Sequence, residues 1–234
     1  MRNSISFVVG AIAIVSDYAQ AVKTAKIEAS SLLEWSITSS TLEWNLSSCG
    51  KTTPAQFKFD KIPASVPGQV HMDLMKMGIL GQDPLFRDNE LQYAWVAQNC
   101  WAYESEPFDL SGINLTDNSE PLFLRLGGVD TSANIFVNGN LVAHTQNGLR
   151  SHTIPIDKSV LTTSNKVKVE IESGIDAALN NASAYPYAVP AVLYYNTWSE
   201  PSKRNFLRKS PKDFGWDWGP SFVPSGLSGE VAFV

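Results

Sequence analysis

The residues best suited to chemistry in this sequence lie in one short segment, 214–220, which reads Phe-Gly-Trp-Asp-Trp-Gly-Pro. Trp216 and Trp218 flank Asp217, and a glycine stands on each side of the three. The C–H faces of a sugar ring pack on indole, and sugar hydroxyls donate hydrogen bonds to carboxylate oxygens. A turn with buried tryptophans in a β protein has the same local pattern. The surrounding sequence must therefore decide between a sugar-binding turn and a core turn.

The sequence around this segment predicts an all-β protein. Residues 166–172 alternate strictly between apolar and charged side chains, which is the pattern of a half-buried strand. Asn138-Gly139 stands between two apolar runs and predicts a type I′ hairpin turn. Further strands are predicted at residues 57–59, 101–104, 122–126 and 230–234. Many short strands with turn residues between them are typical of an antiparallel β-sandwich or jelly roll.

Helical signals are few. Val70, Leu74 and Met77 follow helical spacing and predict a short helix over residues 69–77, and a second helical turn is predicted near Asp176. Residues 180–190 predict an irregular loop, and residues 203–220 predict a long functional loop. His71, Met72 and Met75 do not have the spacing of metal ligands, so we expect neither a metal nor another cofactor.

Composition places the chain among ordinary globular proteins. Of its 234 residues, 44% are hydrophobic and 18% are charged, which is enough apolar material for one core. The net charge of −5 argues against a nucleic-acid partner, because the surface offers few cations to replace phosphate counterions. We interpret the basic residues that precede the Trp-Asp-Trp segment as a solvated loop: Lys203, Arg204, Arg208, Lys209 and Lys212.

The N-terminus predicts a secretory leader. Arg2 precedes an apolar run over residues 5–15, and Ala19-Gln20-Ala21 has the small-x-small pattern of a signal-peptidase site. We therefore expect residues 1–21 to be removed and residues 22–33 to form a short lead. The apolar run is too short to span a bilayer, and no membrane anchor is predicted elsewhere.

Two other features agree with the secretory pathway. Three sequons predict N-glycosylation, at Asn45, Asn114 and Asn181. The two cysteines, Cys49 and Cys100, permit a single pairing. The sequence leaves open whether they form a disulfide or remain two buried thiols.

Several segments, in order, resemble one family. Residues 66–71 read Val-Pro-Gly-Gln-Val-His, residues 126–131 read Leu-Gly-Gly-Val-Asp-Thr, and Arg208-Lys209 stands before the Trp-Asp-Trp-Gly-Pro element. Over residues 34–234 the chain resembles the N-terminal sugar-binding jelly-roll domain of the β-mannosidases in glycoside hydrolase family 2. Gly229-Glu230 departs from the family pattern, which leads us to expect a bulkier or basic residue there.

The resemblance implies a role in binding a mannose-terminated oligosaccharide. Asp217 would accept hydrogen bonds from sugar hydroxyls, and Trp216 and Trp218 would form apolar walls. Arg208 and Lys209 would hold the loop by pairing with a carboxylate, either Asp217 or one in the catalytic barrel. In the family a retaining pair of glutamates lies on a (β/α)₈ barrel, which we expect downstream. No catalytic residue is assigned within these 234 residues, and we expect this chain alone to be inactive.

Two other functions remain open from the sequence. The chain could act as a stand-alone carbohydrate-binding module of the same fold, or as a structural domain that supports a partner, because a fold does not determine a function. In each case we expect the protein outside the cell, or in a lysosome or vacuole.

Overall fold

The sequence folds into short strands joined by turns and irregular segments. The computed structural model describes residues 41–50, 53–81, 83–110, 121–189, 203–216 and 218–234. Nine strands occur in this part of the chain: β1 (Trp44–Ser48), β2 (Ile62–Ala64), β3 (Trp101–Ser105), β4 (Leu122–Leu126), β5 (Ser132–Val137), β6 (Asn140–Gln146), β7 (His152–Ile156), β8 (Val167–Ile171) and β9 (Val231–Phe233).

The strands form two antiparallel sheets. One has six strands in the order β2-β1-β3-β8-β5-β6, and the other has three in the order β7-β4-β9. Strands that are far apart in sequence are paired, as when Tyr103 of β3 lies opposite Val169 of β8. This architecture confirms the predicted all-β, antiparallel sandwich.

A single apolar cluster contains side chains from both sheets. Along β8 every second residue is buried, as the alternation of the sequence predicted, and β4 has the same burial pattern. The largest fully buried side chains in this cluster include Trp101, Tyr103 and Phe233. The core therefore fixes the relative position of the two sheets, and the loops at their ends are free to carry a site.

The β5–β6 hairpin has the predicted turn. Asn138 and Gly139 both have positive φ, 51° and 81°. The Asn138 side chain also donates to the carbonyl oxygen of Val160 at 2.9 Å and accepts from the Lys166 amide at 2.8 Å. The asparagine therefore both makes the turn and fastens the hairpin to the start of β8.

The last strand packs through a contact between glycines. A Cβ atom added at Gly229 would lie 2.4 Å from the carbonyl carbon of Gly127, and one added at Gly127 would lie 2.9 Å from the amide nitrogen of Glu230. The amide of Gly127 donates to the Glu230 carbonyl at 2.7 Å. Gly229 is therefore required by the close approach of two backbones, which explains why a bulkier residue is absent there.

The described part of the chain contains three short α-helices: α1 (Val70–Lys76), α2 (Asn89–Tyr93) and α3 (Gly174–Ala184). Helix α1 confirms the prediction over 69–77. Helix α3 extends further than the predicted turn near Asp176, so the prediction of an irregular loop was wrong for residues 180–184. The Ser173 hydroxyl accepts from the Asp176 amide at 3.2 Å and caps α3, and small alanines allow its buried face to pack closely.

The predicted strand at residues 57–59 was also wrong. Ala55–Phe57 forms one 3₁₀ turn after Pro54, and the next residues are irregular. The two aromatic rings stack on tryptophans instead, with centroid distances of 5.2 Å for Phe57 on Trp95 and 6.2 Å for Phe59 on Trp101. Aromatic packing against the core thus replaces strand pairing.

Cys49 and Cys100 form a disulfide that closes a loop with a sequence separation of 51 residues. It joins the end of β1 to the start of β3, which are already neighbours in the sheet. No helix in the described ranges is long and apolar enough to cross a membrane.

Two of the three predicted glycosylation sites lie among the described residues. The side-chain amide of Asn45 donates to Glu106 at 2.7 Å, and that of Asn181 donates to the Phe206 carbonyl at 3.1 Å. A glycan on either nitrogen would replace these contacts. Asn114 and the predicted leader lie outside the described residues, and glycosylation at all three positions stays a prediction.

Candidate functional site

The Trp-x-Trp element forms a tight turn at the surface of the domain. The Trp216 amide donates to the Gly219 carbonyl at 3.0 Å, and the Gly219 amide donates back to the Trp216 carbonyl at 3.2 Å. Gly215, with φ of 77°, precedes the turn, and a Cβ atom there would lie 2.8 Å from the Gly219 carbonyl oxygen. Only glycine fits this approach, so the local sequence makes the turn.

Both indoles of this turn point to solvent. Trp216 is 58% exposed and Trp218 is 85% exposed, which is the opposite of a core turn with buried tryptophans. The Arg204 guanidinium lies over the Trp216 ring, 5.8 Å from its centroid, at cation–π distance. Exposed tryptophans held on a tight turn are typical of a binding surface. Asp217 lies outside the described residues, and its predicted contact with a ligand stays a prediction.

A buried ammonium group lies at the base of this turn. The Lys209 side chain is only 2% exposed, and its Nζ contacts Asp130 Oδ2, Asp213 Oδ2 at 3.1 Å and the Pro224 carbonyl at 2.6 Å. An ammonium has three hydrogens to donate, so these contacts use all of them. The interpretation of the basic residues as a solvated loop was therefore wrong for Lys209, whose burial depends on carboxylate partners.

The lysine pairs with carboxylates that the sequence did not indicate. The partners expected for Arg208 or Lys209 were Asp217 or a carboxylate of the barrel, whereas the described carboxylate contacts of Lys209 are to Asp130 and Asp213. Asp130 follows β4 and Asp213 belongs to the 3₁₀ turn Pro211–Phe214. Asp213 lies four residues after Lys209, whereas Asp130 lies 79 residues away and no local pattern connects it to the lysine. Sequence reasoning therefore missed the cluster as a whole.

Next to the turn is a cleft of about 260 Å³ with a largely apolar lining. Helix α1 forms one wall with His71, Met72 and Met75, and Phe222 lies opposite. His71 packs edge-on against Phe222, with ring centroids 5.8 Å apart. Neither nitrogen of the buried His71 ring has a hydrogen-bond partner among the described residues. Burial, with a smaller effect from the Lys209 charge, lowers the pKa of His71 from 6.5 to about 4.

Metal binding gains no support from the cleft. In the ranges that the structure describes, no group of three or more His, Cys, Asp or Glu side chains could hold an ion. Met72 and Met75 line the cleft together with His71, but they supply apolar surface there.

Comparison with known proteins identifies the family. Residues 35–229 match the family model described as "Glycosyl hydrolase 2 galactose-binding domain-like". The chain belongs to this family. Its matched residues include the strands β1 to β8 and the Trp216–Gly219 turn, so the whole site described above lies within the matched range.

The curated relatives are β-mannosidases. The chain is 32% identical over 194 residues to β-mannosidase A of Aspergillus niger, covering 80% of this chain and 19% of that protein. It is 33% identical over 175 residues to the β-mannosidase of Mus musculus, covering 73% of this chain and 19% of that protein. The chain thus spans about a fifth of the length of these relatives.

A solved structure of the same kind supports the family fold. The β-D-mannosidase from Dictyoglomus thermophilum matches with a TM-score of 0.68 and 30% identity, over 82% of this chain and 22% of that chain. The exo-β-D-glucosaminidase CsxA has a TM-score of 0.53 and 18% identity over 85% of this chain and 20% of that chain, and shares the fold alone.

The unpartnered histidine predicts a pH-dependent stability. The pKa of His71 is lower in the folded chain than in the unfolded chain, so between pH 6.5 and 4 the unfolded state binds more protons. The free energy of unfolding should therefore fall as the pH is lowered through this range, by up to about 1.4 kcal/mol per pH unit from this group. The variant His71→Leu should lack this component, as measured by urea unfolding at pH 7, 6 and 5. The exposed His144→Gln variant is the control and should follow the wild type. Parallel pH profiles for wild type and His71→Leu would contradict the prediction.

Proposed function

We propose that this chain is the N-terminal domain of a β-mannosidase, a retaining glycoside hydrolase that removes terminal non-reducing β-D-mannose residues. In this proposal the domain supplies one wall of the sugar pocket, and a downstream barrel supplies the catalytic carboxylates. The family membership, the names of the relatives and their greater length support it.

The observation that carries the proposal is the exposure of two indoles on one rigid turn. A pyranose presents an apolar C–H face, and Trp216 and Trp218 present uncovered aromatic surface beside the Asp217 carboxylate in the sequence. A charge-assisted hydrogen bond contributes roughly 1.5–3 kcal/mol, and an aromatic contact adds about 1 kcal/mol. Together these favour weak binding near the millimolar range, which suits one wall of a shared pocket.

The carboxylates of Asp130, Asp213, Glu104 and Glu106 are all engaged by lysines. A retaining enzyme needs two carboxyl groups about 5–5.5 Å apart with the sugar between them. Asp130 and Asp213 come together, but both are bound to the buried Lys209. Glu104 and Glu106 are engaged by Lys166 at 3.0 Å and by Lys61 at 3.2 Å, at the solvent-facing surface of the sheet. The role that fits this domain is therefore to bind sugar and leave the chemistry to another part of the enzyme.

A substitution at the turn tests the proposed pocket. In the full-length protein, Asp217→Asn should lower kcat/KM for an aryl β-mannoside by about a hundredfold, roughly 2.7 kcal/mol of transition-state binding, because an amide accepts fewer hydroxyl donors than a carboxylate. Asp60→Asn, which changes an exposed carboxylate before β2, is the matched control and should leave kcat/KM unchanged. A loss of less than threefold in Asp217→Asn would remove Asp217 from the pocket.

The domain by itself should not hydrolyse substrate. Purified residues 22–234 should release no aryl alcohol from an aryl β-mannoside, since in this proposal the catalytic carboxylate pair belongs to the downstream barrel. The measurement is a fixed-time assay against a sample without enzyme. Turnover above that background would show that this chain holds catalytic groups of its own.

We also propose that the protein enters the secretory pathway and works outside the cell or in a lysosome or vacuole. The Cys49–Cys100 disulfide supports an oxidising compartment, and closing a loop of this length stabilises a domain by about 2–4 kcal/mol. Expression of the full coding sequence in a eukaryotic host should give a protein that begins at Val22 and has no free thiol at either cysteine. Mass spectrometry of the purified protein measures both. A retained Met1 together with two free thiols would contradict the proposed location.

A further inference from the structure

We propose that Lys209 is a positioning residue, which fixes where the two indoles of the Trp216–Gly219 turn stand relative to the sandwich. The inference rests on the proposed function only in treating these indoles as a sugar-binding surface. Lys209 itself is buried beneath the turn and would not touch a ligand.

The contacts of Lys209 bracket the turn in sequence. Asp213 lies before Trp216, and Pro224 lies after Gly219, and the same ammonium group contacts both of them. A backbone hydrogen bond of 2.9 Å from the Val223 amide to the Asp213 carbonyl joins the same two ends. The segment between them is therefore a closed loop whose base includes Lys209.

The third contact attaches this loop to the sandwich. Asp130 exchanges two backbone hydrogen bonds with Gly226, at 2.9 and 3.2 Å, and lies two residues before the start of β5. Its carboxylate binds Lys209. The ammonium group thus contacts three parts of the chain: the segment before β5, the segment that enters the turn and the segment that leaves it.

The residues on either side of the turn are packed in an apolar cluster, but the two indoles of the turn are not. Phe214 and Val223 are buried in a small cluster that also includes Leu207 and two alanines of α3. Trp216 and Trp218 belong to neither apolar cluster and are mostly exposed. Apart from the Arg204 contact with the Trp216 ring, their orientation therefore depends on the backbone of the loop, and the polar contacts of Lys209 hold that backbone at both ends.

The test follows the indoles directly. The 234-residue chain is labelled with 5-fluorotryptophan, and the ¹⁹F resonances of Trp216 and Trp218 are assigned with Trp→Phe variants. In Lys209→Met these two resonances should shift by more than their linewidth or broaden, because the loop loses its contacts with the ammonium group. The resonances of the core residues Trp44, Trp95 and Trp101 should stay in place, since these indoles lie in the separate main core.

Two further variants keep the test decisive. Lys212→Met removes an exposed lysine that also pairs with Asp213, at 2.7 Å, and should leave both turn resonances unchanged. Asp130→Asn keeps Lys209 and its other two partners, and should move the same two resonances by a smaller amount. If Lys209→Met does not fold, which a collapse of all resonances would reveal, Asp130→Asn decides the question.

Unchanged Trp216 and Trp218 resonances in the folded Lys209→Met and Asp130→Asn variants would overturn the positioning role and leave Lys209 as a stabilising residue only. This outcome is distinct from failure of the proposed function, which is measured by hydrolysis in the full-length wild-type protein. A wild type without activity on β-mannosides would remove the proposed function and leave the NMR result to decide the role of Lys209.

Discussion

The site depends on one buried cation. Taking an ammonium out of water is unfavourable by several kcal/mol, and the protein offsets this with two carboxylates and a carbonyl around Lys209. Removing one partner of such a buried group typically destabilises a protein by about 3–5 kcal/mol, because the remaining charges have no water to solvate them. In the proposed role of Lys209, these contacts hold the turn that presents two exposed indoles to solvent.

The fold was largely predictable because its signals are local. Alternation along β8 and the Asn138-Gly139 pair each report on a few neighbouring residues, and the structure has the strand and the turn where the pattern predicts them. The wrong predictions concern segments whose secondary structure is determined by tertiary packing. Phe57 and Phe59 have the side chains of a strand but stack on tryptophans of the core, and the alanine-rich residues 180–184 continue a helix whose cap is Ser173.

The site was predictable only in part. The Trp-Asp-Trp segment stood out because unusual residue types occur together, and the glycines beside it fix the turn. Lys209 read as one more solvated cation, since its partner Asp130 is 79 residues away and no spacing rule connects them. His71 lies on the short helix α1, and its ring packs against Phe222, which is distant in sequence. Neither ring nitrogen has a hydrogen-bond partner within the described residues. The helix pattern contains no information about Phe222, so this environment of His71 could not be predicted from it.

The glycine contact beneath β9 links distant parts of the domain. The backbones of Gly127 and Gly229 are in contact. Gly226, which lies between Pro224 and Gly229 in the sequence, is hydrogen-bonded to the backbone of Asp130. A methyl group at Gly229 must push the two backbones apart, and that movement would travel through Gly226 to both an acceptor and a carboxylate partner of Lys209. Inherited or engineered changes at these two glycines would therefore misalign the exposed indoles without altering any residue of the turn.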